Sequence, residues 1–412
     1  MAAPAQPAGS LRAILQQPDF RKLWLAQFVS VFGDFLALFG VISLITFRWH
    51  GNAVQVTFVM VAYMLPLALV GPLAGVFVDR WKVKRVMIAS DLTRAALVLL
   101  AVVATDVRQI CAIFAALGTF SSFFAPAQSV TVRTLVPVEK LLAANAMMSQ
   151  AFYTVRLLSP ILAGALIAWL GEHPCFYIDA ASFAFSALMV STLAINPQRS
   201  TGKSVQGFLH EFSSGNRFIF THAYLAFVVT AMVVAMFVLS CFSPLISIYV
   251  RDMLRGGTLL YGFVSTMVGV GLILGTQSVS RFAGQRSKKD IVLAGLLTLG
   301  FSTGLLGAFA TIATAAASLF GVGLAIAFVV VPAQTLMQQE TAPAMIGRVS
   351  SSFLSLISVA QVTGLLLSGW LAQKLGIRHL FLTAAVALAV ITLVGYTRRG
   401  EAPQQVAAEP EG

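Results

Sequence analysis

VQVTFVMVAYMLPLALVGPLAGVFVDRWKVKR, residues 54–85, runs for 25 positions without a charge and then meets Asp79, Arg80, Lys82, Lys84 and Arg85 within seven. About 20 apolar residues at 1.5 Å each cross a hydrocarbon core of about 30 Å. The run therefore predicts a transmembrane helix, and the charged block its exit into water. Outward from this stretch the pattern recurs, giving twelve spans near 23–48, 54–78, 86–105, 109–131, 141–169, 174–195, 223–250, 259–280, 291–309, 311–337, 346–372 and 378–397. The runs are continuous rather than alternating with period two, so each is read as a helix and not as a barrel strand.

Composition agrees. Of 412 residues, 58% are hydrophobic and 10% charged, with mean hydropathy +0.87. Soluble domains carry about 25% charged residues, so a soluble enzyme is excluded. The net charge of +12 follows topology instead of marking a nucleic-acid surface. Nineteen of the 27 Lys and Arg fall on the side that holds both termini, six on the other, and Arg94 and Arg156 inside spans. By the positive-inside rule both termini are cytoplasmic. Cys111, Cys175 and Cys241 form no CxxC pair, so neither a disulfide framework nor a metal site is expected. No GxxxxGK[ST] loop is present, so no ATP machinery and no cofactor are expected.

Residues 1–22 read as a cytoplasmic tail, 23–195 as an N-terminal six-helix bundle, 196–222 as a cytoplasmic linker with short interfacial helices, 223–397 as a C-terminal six-helix bundle and 398–412 as a second tail. The two bundles repeat each other. Gly71 and Gly75 align with Gly271 and Gly275 at offset 200, Leu170-Gly171 with Leu375-Gly376 at 205, and Pro126-Ala127-Gln128 with Pro332-Ala333-Gln334 at 206. Such internal similarity is the mark of a transporter built from two halves.

Gly75, then Asp79-Arg80, then Lys82, Lys84 and Arg85 resemble the signature between spans 2 and 3 of the major facilitator superfamily. The resemblance implies a twelve-helix fold in two six-helix bundles. It also implies a cytoplasmic gate in which Asp79 latches the halves against the start of span 11, near Gly347, Arg348 and Val349. Physically, Gly75 would permit close helix approach, and the Asp79 carboxylate would suit a helix N-terminus. DFRKLWLAQFVSVFGD (19–34), SDLTRA (90–95), FAPAQ (124–128), ANAMMSQ (144–150) and VPAQTLMQQETAPAMIGRVSS (331–351) are similar to bacterial proton-coupled exporters of the macrolide-efflux and enterobactin-export kind. Phospholipid-handling relatives share part of this pattern. Ser159, Pro160 and Gly164 in span 5 are similar to that superfamily's antiporter motif, with Ser159 and Ala163 standing where the motif has Gly. Pro160 removes a backbone hydrogen bond, so a kink is expected at this seam.

Ionisable residues within spans each need a partner or a task, because a buried charge costs at least about 2.5–3.5 kcal/mol. Asp34 lies roughly 17 Å into span 1 at 1.5 Å per residue, near the midplane, and is the leading proton or substrate site. Arg156, roughly 22 Å into span 5, is at a similar depth. The two can pair reversibly, so that protonation of Asp34 frees Arg156 for substrate. Alternatively they form a permanent ion pair, or Arg156 binds a phosphate or carboxylate directly. Asp91 and Arg94, three residues apart, share one helix face and read as a structural pair of the cytoplasmic cluster. Asp179 reads as structural, within reach of Ser182. The repeat equivalents Gln128 and Gln334 are candidates for facing a central cavity.

The expected function is export of amphipathic or hydrophobic, lipid-like small molecules from the bacterial inner membrane by alternating access and proton antiport, by a monomer in the lipid bilayer with no nucleic-acid partner. The alternatives are a lysophospholipid or siderophore transporter, and a membrane sensor of transporter ancestry.

Overall fold

The computed structural model describes residues 14–78, 80–195, 205–282, 287–341 and 345–397, so Asp79 lies outside the described residues. Long apolar stretches without interior water must satisfy their backbone internally, and the described chain does so through helices. In the first half these are α1 (Pro18–Ser43), prolonged by a π-helical turn at Leu44–Arg48, α2 (Ala53–Val78), α3 (Val83–Leu100), α4 (Val107–Leu135), α5 (Leu141–Leu170) and α6 (His173–Ser191). After α7 (Val205–Thr221) come α8 (Ala223–Phe242), α9 (Leu245–Asp252), α10 (Thr258–Phe282), α11 (Lys288–Ala308), α12 (Ile312–Glu340), α13 (Ile346–Leu375) and α14 (Ile377–Thr397).

Eleven helices among the described residues are long and apolar enough to cross a membrane. Of the twelve expected spans the one not among them is α3, which carries Lys84, Arg85, Asp91 and Arg94 in 18 residues, too much charge for that measure. It is nonetheless packed between α4 and α6. Two expectations are corrected. The seventh span is not one helix: Pro244 caps a fresh start, dividing it into α8 and α9. The described part of the linker is a single 17-residue helix, α7, laid against α8 and α13, in place of several short ones.

The helix pairing repeats. In the first half α2 packs on α4, α3 on α4 and α6, and α1 on α5; in the second, α10 packs on α12, α11 on α12 and α14, and α8 on α13. The same atoms meet at equivalent crossings. Gly118 of α4 leaves no room for a Cβ above the Tyr63 carbonyl of α2, and Gly323 of α12 leaves none above the Val268 carbonyl of α10; each partner lies 205 residues after its counterpart. Backbones this close need a residue without a side chain. Gly171 and Gly376, which end α5 and α13, adopt φ of 81° and 78°, the left-handed region that glycine enters without cost. Large apolar side chains such as Phe301 and Leu393 point outward, 74% and 65% exposed, as lipid-facing positions should.

Candidate functional site

The halves meet through α5 against α10 and α2 against α13. At the face opposite the one where Pro18 and Thr397 lie, these crossings are tight. Gly164 packs on the Thr258 carbonyl and on Gly262, while Gly369 packs on Val54 and Thr57. These contacts are also repeat equivalents, since Gly164 and Gly369, and Thr57 and Gly262, are 205 apart. Side chains add to the closure: Phe39 stacks on Tyr261 with centroids 4.9 Å apart, Ser43 and Thr258 hydroxyls lie at 2.9 Å, and the Thr46 hydroxyl donates to Ser247 at 3.0 Å. Arg251 of α9 donates to the carbonyls of Thr46 and Gly51 at 2.8 and 2.6 Å, so a guanidinium from the second half holds the end of α1.

Toward the terminal face lie two cavities. One of about 540 Å³ is lined by α5 and by Ile273 of α10; Ser149, Gln150, Tyr153 and Thr154 supply its polar atoms. A second, of about 260 Å³, lies between Gln27 of α1, Gln128 of α4 and Ser149, Phe152 and Tyr153 of α5. Residues 146, 149, 150, 153, 154 and 157 follow the i, i+3, i+4, i+7 spacing of one helix face. In the sequence ANAMMSQ carries only a family likeness, yet this spacing is enough to mark the lining. Gln128 also donates toward the Met148 sulfur at 4.0 Å.

Deeper in the first half lies a charged cluster. Arg94 is ion-paired with Asp91, both buried in α3. Its guanidinium is clamped between Phe124 of α4 and Phe183 of α6, with centroids 4.6 and 4.2 Å away. Asp179 of α6 lies against the α1 backbone at Gly33 and accepts from the Ser182 hydroxyl at 3.3 Å. Asp34, half-buried on α1, interacts electrostatically with Arg94, Asp91 and Asp179. Of these three carboxyl groups, Asp91 is the one in contact with the guanidinium among the described residues, and Asp34 and Asp179 are within its electrostatic reach.

Asp34 is therefore in the electrostatic field of Arg94 and forms no ion pair with Arg156 among the described residues. Arg156 comes seven residues after Ser149 and four after Phe152, on the cavity side of α5, while Gly33, next to Asp34, faces Asp179 and Ser182 of α6. Arg156 is exposed and makes no hydrogen bond or ion pair among the described residues. Ser159 and Pro160 are buried within the continuous helix α5, and the Pro160 carbonyl faces Gly262.

Among the described gate residues no contact joins the two halves. Nothing among the described residues lies within 4 Å of where a Cβ would stand at Gly71 or Gly75, so Gly75 makes no close helix approach to them, contrary to expectation. Arg80 and Arg85 are exposed, and Lys84 donates to the Leu193 carbonyl at 2.8 Å, inside its own half. Arg348, also exposed, points its guanidinium at the Met345 sulfur 3.8 Å away. Gln334 is exposed on α12 and does not line either cavity, unlike Gln128.

This architecture has counterparts. The sequence is 27% identical over 401 residues to the MFS-type transporter YfiS of Bacillus subtilis (strain 168), covering 92% of this chain and 95% of that protein. It is 25% identical over 390 residues to macrolide efflux protein A of Streptococcus pyogenes, covering 91% and 94%. The structure superposes on the nucleoside transporter NupG with TM-score 0.70 at 14% identity, covering 92% of this chain and 98% of that one. The model of the Major Facilitator Superfamily matches residues 23–356 and again 228–412. With two six-helix bundles in repeat, closed against each other at one face, the chain belongs to the Major Facilitator Superfamily and is a multi-pass membrane transporter, not an enzyme.

Proposed function

We propose that the chain exports amphipathic small molecules across the bacterial inner membrane by proton-coupled alternating access, acting as a monomer with both termini in the cytoplasm. Residues 23–195 and 223–397 move as the two lobes, and the form described above is open to the cytoplasm. The observation that carries this reading is the asymmetry of closure. Paired glycine crossings seal one face, while Gly71 and Gly75 stand clear of the other described residues toward the opposite face, where two cavities are lined by amides, hydroxyls and aromatic rings. Such a lining suits a molecule with an apolar body and a few polar groups.

The charged cluster supports the coupling. With Asp34, Asp91 and Asp179 all ionised, Arg94 balances one carboxylate and two remain uncompensated in the membrane interior. Bound protons remove that cost. Asp34 is the member without a hydrogen bond among the described residues, two turns from the cavity residue Gln27, so it is the group we assign to take a proton from outside and release it inside. Asp79, together with Arg348, is assigned to the cytoplasmic latch of the outward-facing form. Pro160 and Gly164 are the pivot where α5 rolls on α10.

The test is flux of an amphipathic dye in proteoliposomes under an imposed pH gradient. Wild type should move dye against the proton flow, and Asp34→Asn should lose gradient-driven movement at least about tenfold, the lower range of a general acid–base contribution being larger still. Unchanged flux in Asp34→Asn removes that residue from the mechanism. Movement of a labelled lysolipid between leaflets without dye flux favours lipid transport, and binding without flux a sensor.

A further inference from the structure

Resting on the transport reading above, one feature of the cavity narrows the substrate. The polar groups around it are neutral: Gln27, Gln128, Ser149, Gln150, Tyr153 and Thr154. The cation on this face is Arg156. Counting from Ser149 and Phe152, both of which line the 260 Å³ cavity, Arg156 falls at i+7 and i+4, one turn farther from the terminal face on the same stripe of α5. Phe152 there packs on Phe35 of α1 with centroids 5.9 Å apart. Arg156 itself is outside the lining of both cavities, one helical turn beyond the Phe152 ring on that stripe.

The membrane's other deep arginine shows what such a group ordinarily does. Arg94 has a carboxylate and two ring faces; Arg156 has neither ion pair nor hydrogen bond among the described residues and is exposed. A guanidinium held at membrane depth without an internal counter-charge is an open site for one. Its planar fork matches a carboxylate or phosphate through two parallel hydrogen bonds.

We infer that Arg156 is a specificity-determining residue that binds an anionic head group on the transported amphipath, with Phe152 and Phe35 against the adjoining apolar body. The anion is the shared chemistry of two sources, a soluble amphiphilic carboxylate and a lysophospholipid head. Proton and substrate charge then reside on different groups, the proton on the Asp34 cluster and the anion on Arg156.

The experiment is equilibrium binding to the full-length protein in nanodiscs of zwitterionic lipid, using dansyl-undecanoic acid and its primary amide, which differ only at the head. Wild type should bind the acid about tenfold more tightly than the amide, the effect of one charge-assisted hydrogen-bonded pair. Arg156→Gln should bind both within about twofold of each other, with the amide unchanged, and Arg156→Lys should keep part of the preference. Equal binding of acid and amide by wild type, or an undiminished preference in Arg156→Gln, overturns the assignment. If Arg156→Gln binds neither probe, Arg156→Lys decides: amide binding without any preference for the acid overturns it. Displacement of the acid by lysophosphatidate adds the lipid head as a source, and failure to displace restricts the site to soluble amphiphiles. A preserved acid preference with no gradient-driven flux would sink the transport reading alone, so the two claims fail separately.

Discussion

The two halves share a frame and differ in chemistry. Gly118 and Gly323 make the same backbone crossing in each, and Gly164 and Gly369 the same crossing between them. Yet at offset 205 the cluster residues Asp34, Asp91, Arg94 and Asp179 become Leu239, Leu296, Leu299 and Ala384. Leu296 and Leu299 are 0% and 1% exposed, so an apolar layer fills the place that an ion pair fills in the first half. A shape that two sequences build equally well does not require charge. The charge in the first half therefore calls for a role beyond holding helices together.

The largest way to test that contrast is to convert one half into the other. Arg94→Leu alone leaves Asp91 buried without its cation, and should destabilise the protein by about 3–5 kcal/mol. The double change Asp91→Leu with Arg94→Leu, copying α11, should recover most of that loss. Thermal or denaturant unfolding in detergent reads both. A single variant as stable as wild type would mean that the pair is not buried as described.

A smaller effect separates two glycine pairs that the sequence aligns at offset 200 but the structure does not: α2 and α10 are in register at offset 205, which sets Gly71 and Gly75 against Thr276 and Ser280. Gly271→Ala and Gly275→Ala each push a methyl group into α12, against Phe320, Leu324 and Ala327, and should cost about 1–3 kcal/mol through overpacking. Gly71→Ala and Gly75→Ala meet open space and should leave the melting temperature near wild type. Equal losses at all four positions would show that the terminal face is packed shut.

The smallest is Arg251→Ala. Removing the donor to Thr46 and Gly51 should weaken closure of the sealed face by about 1 kcal/mol, seen as faster labelling of a cysteine placed at Thr258 without loss of the folded state. Labelling at the wild-type rate would make that contact incidental.

How much of this was legible in sequence depends on range. Apolar runs mark helices because the membrane forces the choice, and the repeat was visible in Leu170-Gly171 and Leu375-Gly376, whose shared left-handed φ explains why glycine recurs. Local pairs were legible too: Asp91 with Arg94 at i, i+3, and Asp179 with Ser182. The neighbours of Asp34 were not, because equal depth on two helices does not fix the rotation of either about its axis. Depth suggested Arg156; the electrostatic partner is Arg94. The crossings of Gly118 and Gly323 escaped notice because each glycine sits in an ordinary apolar run, and only the facing carbonyl reveals its task. Pro244, by contrast, signals the break between α8 and α9 openly.

The most direct test is proton release from purified protein in weakly buffered solution when an amphipathic substrate is added. Wild type should release protons in proportion to the substrate bound, and Asp34→Asn should bind substrate while releasing few or none. Release by Asp34→Asn equal to wild type, at equal occupancy, would contradict the assignment of coupling to the charged cluster of the first half.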